Sequence, residues 1–284
     1  MTDRPRRSAL YLPAANARAL DKARTLACDA VILDLEDAVA PEAKAGARDA
    51  ACAAVVAGGF GARELVIRVN ALGSEWGAAD LAAVAAARPD AVLLPKVSDA
   101  ATLHAARAAL GPGPALWAMI ETPRALLNLG TIVDAAAATG LTVLVAGTND
   151  LASELRCRPG AARAPLVPVL AGIVAAARAA GLVALDGVCN ALGDDARLAA
   201  ECAQGRDLGF DGKTLIHPGQ IAAANAAFAP DAAEVAWART IIAAFADPSA
   251  AARGVLRIDG RMVERLHLTE AHRVVALAEA LPGR

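Results

Sequence analysis

Eight short apolar runs punctuate the chain, at Ala9–Leu12, Ala30–Leu35, Leu65–Val69, Ala91–Leu94, Ala115–Ile120, Leu141–Ala146, Leu182–Leu185 and Lys213–Ile216. Alanine-rich helical stretches separate them. Successive runs begin 21 to 41 residues apart, room for a strand, a loop, a helix of a few turns and a return. Runs that are apolar at nearly every position are buried on both faces, the habit of parallel strands covered by helices. Eight such units predict an α/β fold, a (β/α)8 TIM-type barrel. An open doubly wound sheet is the competing arrangement, but no G-x-G-x-x-G follows the first run. The nearest glycine cluster, Ala57-Gly58-Gly59-Phe60-Gly61, precedes a strand, which is the wrong context.

Two stretches depart from this rhythm. Arg156 to Pro168 holds three prolines and reads as a long loop after the sixth strand. Beyond Pro230 the sequence predicts one helix over Ala232–Ala246, a break at Pro248-Ser249, and a further segment from Gly254 to Ala280. The expected organisation is therefore a catalytic barrel over residues 1–230 and a C-terminal helical extension over 231–284, a cap or an arm that reaches a neighbouring subunit.

Composition narrows the classes. Hydrophobic residues make up 56% of the 284, enough for a large core and against disordered or fibrous chains. Aromatics are only 3%, so Ala, Leu and Val must fill that core. No window supplies the ~18 uninterrupted apolar residues of a membrane span. The best stretch, Leu166 to Val188, is broken by Pro168, Arg178 and Asp186. Arg4, Arg6 and Arg7 precede an apolar stretch as in a leader peptide, but that stretch is short and meets Pro13. An odd set of five cysteines without C-x-x-C spacing predicts reduced thiols in a cytoplasm. The formal net charge of −2 offers no footprint for nucleic acid, so an acidic ligand must be met by local basic residues.

In a parallel barrel the chemistry gathers at the carboxyl ends of the strands. Those ends read Pro13, then Asp34, Glu36 and Asp37, then Arg68 and Asn70, then Lys96, Glu121, Asn149 and Asp150, Asp186, and His217. Glu121 and Asp150, on successive strand ends with no His or Cys beside them, suit a hard oxygen-loving cation such as Mg2+. Capping of the following helices is the other reading of both. Asp34-Leu35-Glu36-Asp37 forms a second acidic cluster, either near the metal or capping a helix over Ala38–Ala51, with Lys44 and Arg48 as surface partners. Arg68 closes an apolar run, so its charge needs a carboxylate: that of a substrate, or Glu36 or Glu121. Lys96 could form a Schiff base, and His217 could act as acid or base or serve as a hydrogen-bonded scaffold residue. His267 and His272, with Glu270, are five residues apart on a helix and face different ways. No serine elbow or P-loop is present.

At these residues the chain resembles the HpcH/HpaI aldolase family, in its citrate lyase β-subunit-like branch. The matching segments are Arg7-Ser8-Ala9-Leu10-Tyr11-Leu12-Pro13, Asp34-Leu35-Glu36-Asp37-Ala38-Val39 and Ile67-Arg68-Val69-Asn70. Leu94-Pro95-Lys96-Val97, Ile120-Glu121-Thr122-Pro123 and Gly147-Thr148-Asn149-Asp150-Leu151 follow. Leu185-Asp186-Gly187-Val188 and the stretch from Gly209 to Ile221 complete a match along essentially the whole chain. The resemblance implies a modified barrel assembled as homotrimers or homohexamers, acting on C–C bonds of acyl thioesters. It implies Mg2+ on Glu121 and Asp150, with Glu121 also reaching the substrate. Arg68 would hold the oxo-acid carboxylate, and Glu36 and Asp37 would support the metal waters. It further implies that Gly260-Arg261-Met262-Val263-Glu264 carries a catalytic base, Glu264, into a neighbour's site. Glu264 stands where Asp is usual, and Ala14 and Ala125 stand where glycine is common.

The expected activity is that of a Mg-dependent lyase of a 3-hydroxyacyl thioester such as malyl-, citramalyl- or citryl-CoA, giving an oxo acid and an acyl thioester. Water could instead hydrolyse the thioester. Alternatives are a citrate lyase β subunit acting on an acyl-carrier-protein thioester, an aldolase acting on free pyruvate and an aldehyde, and a catalytically silent ligand-binding paralogue.

Overall fold

Each apolar run is a strand in the computed structural model, which describes residues 4–247 and 253–281. The strands are β1 (Ser8–Pro13), β2 (Ala30–Asp34), β3 (Glu64–Arg68), β4 (Ala91–Leu94), β5 (Ala115–Ile120), β6 (Leu141–Ala146), β7 (Val183–Asp186) and β8 (Gly212–Leu215). They form a closed parallel barrel in sequence order, with β1 paired to both β2 and β8. Differences from the expected bounds are small shifts at strand ends, as at β7, where Asp186 belongs to the sheet with its charge paired inside to Lys213.

Strand side chains alternate between two faces. The inward set, Ala9, Ala30, Ile32, Val66, Ala91, Leu93, Trp117, Met119, Val143, Val145 and Leu185, packs into one buried cluster, so the barrel is filled rather than hollow. At the amino ends of the strands Arg6 forks onto Glu64, at 2.5 and 2.9 Å, with its guanidinium 5.7 Å from the Trp117 ring centre. A buried pair with this bidentate geometry closes the floor of the barrel.

The chain divides into two compact units, the barrel from Arg6 to Ala227 and a C-terminal unit from Phe228 onward. The expected helix over Ala232–Ala246 is present, its Asp231 cap accepting from Glu234 N. The following segment is not wholly helical as expected. Val255–Ile258 and Arg261–Glu264 form an antiparallel hairpin (β9 and β10) before a helix over Arg265–Ala280. Asp259 and Gly260 turn it with φ of 48° and 79°, the paired positive angles of a tight hairpin that Asp-Gly favours. Ala238, Ile241, Phe245, Val263 and Ala271 form this unit's core. The expected break at Pro248-Ser249 lies outside the described residues. Among the described residues no helix is long and apolar enough to cross a membrane, and all five cysteines carry free thiols.

Candidate active site

The two-residue period of the strands decides what the barrel mouth contains. The inward positions Ala30 and Ile32 of β2 continue to Asp34, Val66 of β3 continues to Arg68, and Trp117 and Met119 of β5 continue to Glu121 just past its end. In β1 the same face ends at Tyr11. These four side chains line a cleft of about 280 Å³ at the carboxyl ends of the strands, together with Asp37 and Asp150.

Arg68 is the centre of one half. Asp34, its register neighbour across β2 and β3, takes Nε and Nη2 at 2.7 Å each. Nη1 donates to Asp37 at 3.0 Å and lies 2.8 Å from Glu36 Oε2 without a hydrogen bond, so that oxygen is held by charge alone. The Tyr11 ring stacks 4.8 Å from the guanidinium, and its hydroxyl reaches Met119 Sδ at 3.7 Å. Burial opposes the charge on Arg68, but the Asp34 bonds overcome it and hold the guanidinium firmly protonated. Burial pushes the Glu36 carboxyl up to about 7, against the pull of Arg68. The expected partner Glu36 is thus beside Arg68, whereas Glu121 takes its hydrogen bond from Lys96.

Asp34 also folds the loop that follows it, accepting from Glu36 N at 2.9 Å and Ala38 N at 3.1 Å. The acidic cluster therefore caps no helix, and the helix expected over Ala38–Ala51 runs over Lys44–Ala57, after a 3-10 turn that Pro41 opens. Lys44 is not a surface partner of the acids. It is buried, donating to the carbonyls of Leu35 and Glu36 at 2.8 and 2.6 Å. Arg48 instead pairs with Asp80, at 3.2 Å, and Asp80 Oδ2 also accepts from Asn70.

Glu121 and Asp150 form the other half. Thr122, not Glu121, caps the helix after β5; the helix over Thr148–Glu154 has no side-chain cap but carries Asp150 in its first turn, where its charge also suits the helix N-terminus. Glu121 is 1% exposed, and burial raises its carboxyl despite the Lys96 N–H, 2.7 Å from Oε1. The Lys96 ammonium pairs with Asp150 and stands 3.6 Å from Glu121 Oε1, so the two acids already share one cation. Room for Glu121 comes from Gly147, where a Cβ would fall 2.3 Å from the Glu121 Cβ.

Among the described residues no three His, Cys, Asp or Glu side chains converge as a ligand cage. Two carboxylates that leave most of the coordination sphere to water and substrate are what Mg2+ prefers. The mouth holds five acids, Asp34, Glu36, Asp37, Glu121 and Asp150, against two bases, Arg68 and Lys96. A divalent cation fits this donor set and this excess of negative charge.

The remaining strand-end candidates serve the scaffold. Asp186 is fully buried between Arg163 and Lys213, at 2.8 and 3.0 Å. The exposed His217 accepts from Gly219 N at 3.1 Å and caps a short turn. Glu264 belongs to the C-terminal unit, where it ends β10 and its N–H donates to His267 Nδ1 at 2.9 Å. Sequence reading missed Asp34 as the clamp on Arg68, Tyr11 as its stacking partner and Lys96 as the shared cation. For Asp34 and Tyr11 the signal was available in the alternation along β1, β2 and β3.

The chain is similar to several known proteins. The chain is 50% identical over 277 residues, 98% of its length and 96% of the other, to a (3S)-malyl-CoA thioesterase of Cereibacter sphaeroides. It is 34% identical over 287 residues to the citrate lyase β subunit of Escherichia coli, covering 97% of this chain and 94% of that one. Its fold matches the protein CitE of Mycobacterium tuberculosis, solved with magnesium, acetoacetate and coenzyme A, with a TM-score of 0.76 at 32% identity over 96% of this chain and 97% of that one. The family model described as HpcH/HpaI aldolase/citrate lyase matches residues 7–218, and the chain belongs to that family.

Proposed function

We propose that this chain is a Mg2+-dependent enzyme of 3-hydroxyacyl-CoA thioesters, with a malyl-CoA-type substrate and hydrolysis of the thioester as its main reaction. One observation carries the metal-site reading: Glu121 and Asp150 converge on a single cation inside the barrel mouth, beside a clamped Arg68. The half-identical relative named as a malyl-CoA thioesterase supports the choice of substrate and of bond. Cleavage of the C–C bond is the second reading, favoured by the citrate lyase β relative.

Glu121 and Asp150 would hold the metal, which when bound supplies a Lewis acid and an anchor for the substrate's hydroxyl and carboxylate. Arg68 orients that carboxylate from the opposite wall, kept rigid by Asp34 and kept charged by Asp34, Glu36 and Asp37. Glu36 and Asp37 steady the waters around the acids. A cleft of about 280 Å³ accepts a four-carbon acyl head and leaves the long carrier arm outside. In hydrolysis, water adds to the thioester carbonyl, the C–S bond breaks and the thiolate takes a proton, giving malate and free CoA. In C–C cleavage a base removes the hydroxyl proton, the C–C bond breaks to glyoxylate and the enolate of acetyl-CoA, and that enolate takes a proton at carbon; Glu264 of a second copy is the base we assign. That role implies a homo-oligomer, and five free thiols support a reducing, cytoplasmic setting.

The test is one incubation with malyl-CoA and Mg2+, with products separated by chromatography. Malate with free CoA is expected, lost on adding EDTA and in Glu121→Ala. Turnover untouched by EDTA, or no turnover of malyl-, citramalyl- or citryl-CoA at all, overturns the proposal.

A further inference from the structure

Lys96 grips both acids of the metal pair through two different groups. Its backbone N–H donates to Glu121 Oε1 at 2.7 Å, while its ammonium pairs with Asp150 and stands 3.6 Å from the same Glu121 oxygen. It does this from a left-handed backbone, φ 53°, a conformation in which glycine is at home and lysine is strained. Strain of this kind persists only where the surroundings enforce it, and here both ends of the residue are bound to the same pair of acids.

The two halves of the grip respond differently to a second cation. The N–H orients Glu121 and is compatible with a metal on that carboxylate. The ammonium competes for the same charge. Its side chain is 36% exposed, whereas that of Glu121 is 2% exposed, so the lysine has a path into solvent and the glutamate does not. Without some cation between them, a buried Glu121 and a nearby Asp150 would repel each other and lose their shared aim.

We propose that Lys96 is a tethered counter-cation, which holds Glu121 and Asp150 together and competes with the divalent ion for them, and so sets how tightly the site binds metal. The proposal rests on Glu121 and Asp150 being the metal's carboxylates. It gives the lysine a role distinct from Schiff-base chemistry, because its side-chain nitrogen is already engaged with Asp150. It also predicts a site that exchanges its metal readily yet does not collapse when stripped.

Full-length protein freed of metal by EDTA is titrated with Mn2+, with the free ion counted by electron paramagnetic resonance. Lys96→Met should bind Mn2+ about fivefold tighter or more, the range opened by removing a half-exposed ion pair. Stripped Lys96→Met should melt below the stripped wild type, with the gap closing at saturating Mn2+. Lys96→Arg, which keeps the charge, should stay near the wild type. Equal or weaker binding by a natively folded Lys96→Met, or tighter binding by Lys96→Arg, overturns the proposal. Lys96→Gln takes the place of Lys96→Met if the latter does not fold. The metal assignment has its own control: if Glu121→Gln binds Mn2+ as the wild type does, that assignment fails whatever Lys96 does.

Discussion

The clamp on Arg68 gives the sharpest energetic prediction. Asp34 and Arg68 are 1% and 7% exposed in their side chains and meet through two bonds of 2.7 Å. Removing one partner of a buried ion pair costs about 3–5 kcal/mol, because the survivor is left charged and dry. Asp34→Ala falls near the lower end, about 3 kcal/mol, since Arg68 keeps Glu36 and Asp37, although the loop N–H groups of Glu36 and Ala38 lose their acceptor. Arg68→Ala costs about the same, because it leaves three acids together with no guanidinium. The double variant removes the stranded charge along with its partner, so its cost should be about 3–4 kcal/mol rather than about 6. Urea unfolding of the four proteins at pH 7.5 measures the coupling, expected at about 2–3 kcal/mol. Additivity within about 0.5 kcal/mol would show that the two residues act independently and would refute the clamp.

Gly147→Ala places a Cβ 2.3 Å from the Glu121 Cβ. It should destabilise by about 1–3 kcal/mol and, by moving Glu121, lower kcat/KM by on the order of a hundredfold, read by thermal melting and steady-state kinetics. Burial raises the Glu36 carboxyl from near 4.5 to about 7 in the fold, so the metal-stripped protein binds an extra proton between those values. That contribution is whole below about pH 4.5 and is lost as pH rises through 7. The unfolding free energy from urea titration should therefore drop across this window by on the order of 2–3 kcal/mol, and Glu36→Gln should flatten the slope.

The barrel was legible because its strands are apolar at nearly every position, a pattern that few other arrangements satisfy. The mouth was legible as a set of strand ends but not as partnerships. Asp34 and Glu36 look alike in sequence and share parity, yet β2 ends at Asp34, which turns inward onto Arg68, and Glu36 lies on the loop beyond it. Lys44 reads as a surface base because helical spacing puts it beside acids. Its burial comes from a turn at Pro41 that delays the helix and aims the side chain at two carbonyls. The hairpin at Asp259-Gly260 hid for a different reason. Four-residue strands are too short for alternation to stand out against flanking helices, and the Asp-Gly turn was the one local mark of it.

Hydrolysis and C–C cleavage draw on the same bound state and diverge only at the proton that moves. On the proposed assignment Arg68, Glu121 and Asp150 hold the acyl head in either case, so Arg68→Ala should depress both reactions in proportion. A base on the substrate hydroxyl is needed for C–C cleavage alone, since hydrolysis leaves that hydroxyl untouched. Glu264 is one methylene longer than the aspartate usual in the resembling segment, and a shift of roughly 1 Å at a reacting centre costs on the order of a hundredfold. On the proposed assignment a misplaced base would slow the C–C route and leave water to take the thioester. Glu264→Asp should therefore raise the ratio of acetyl-CoA to free CoA released from malyl-CoA, and Glu264→Gln should lower it. If both variants lose the two products in equal proportion, Glu264 serves folding or binding and the divergence lies elsewhere in the site.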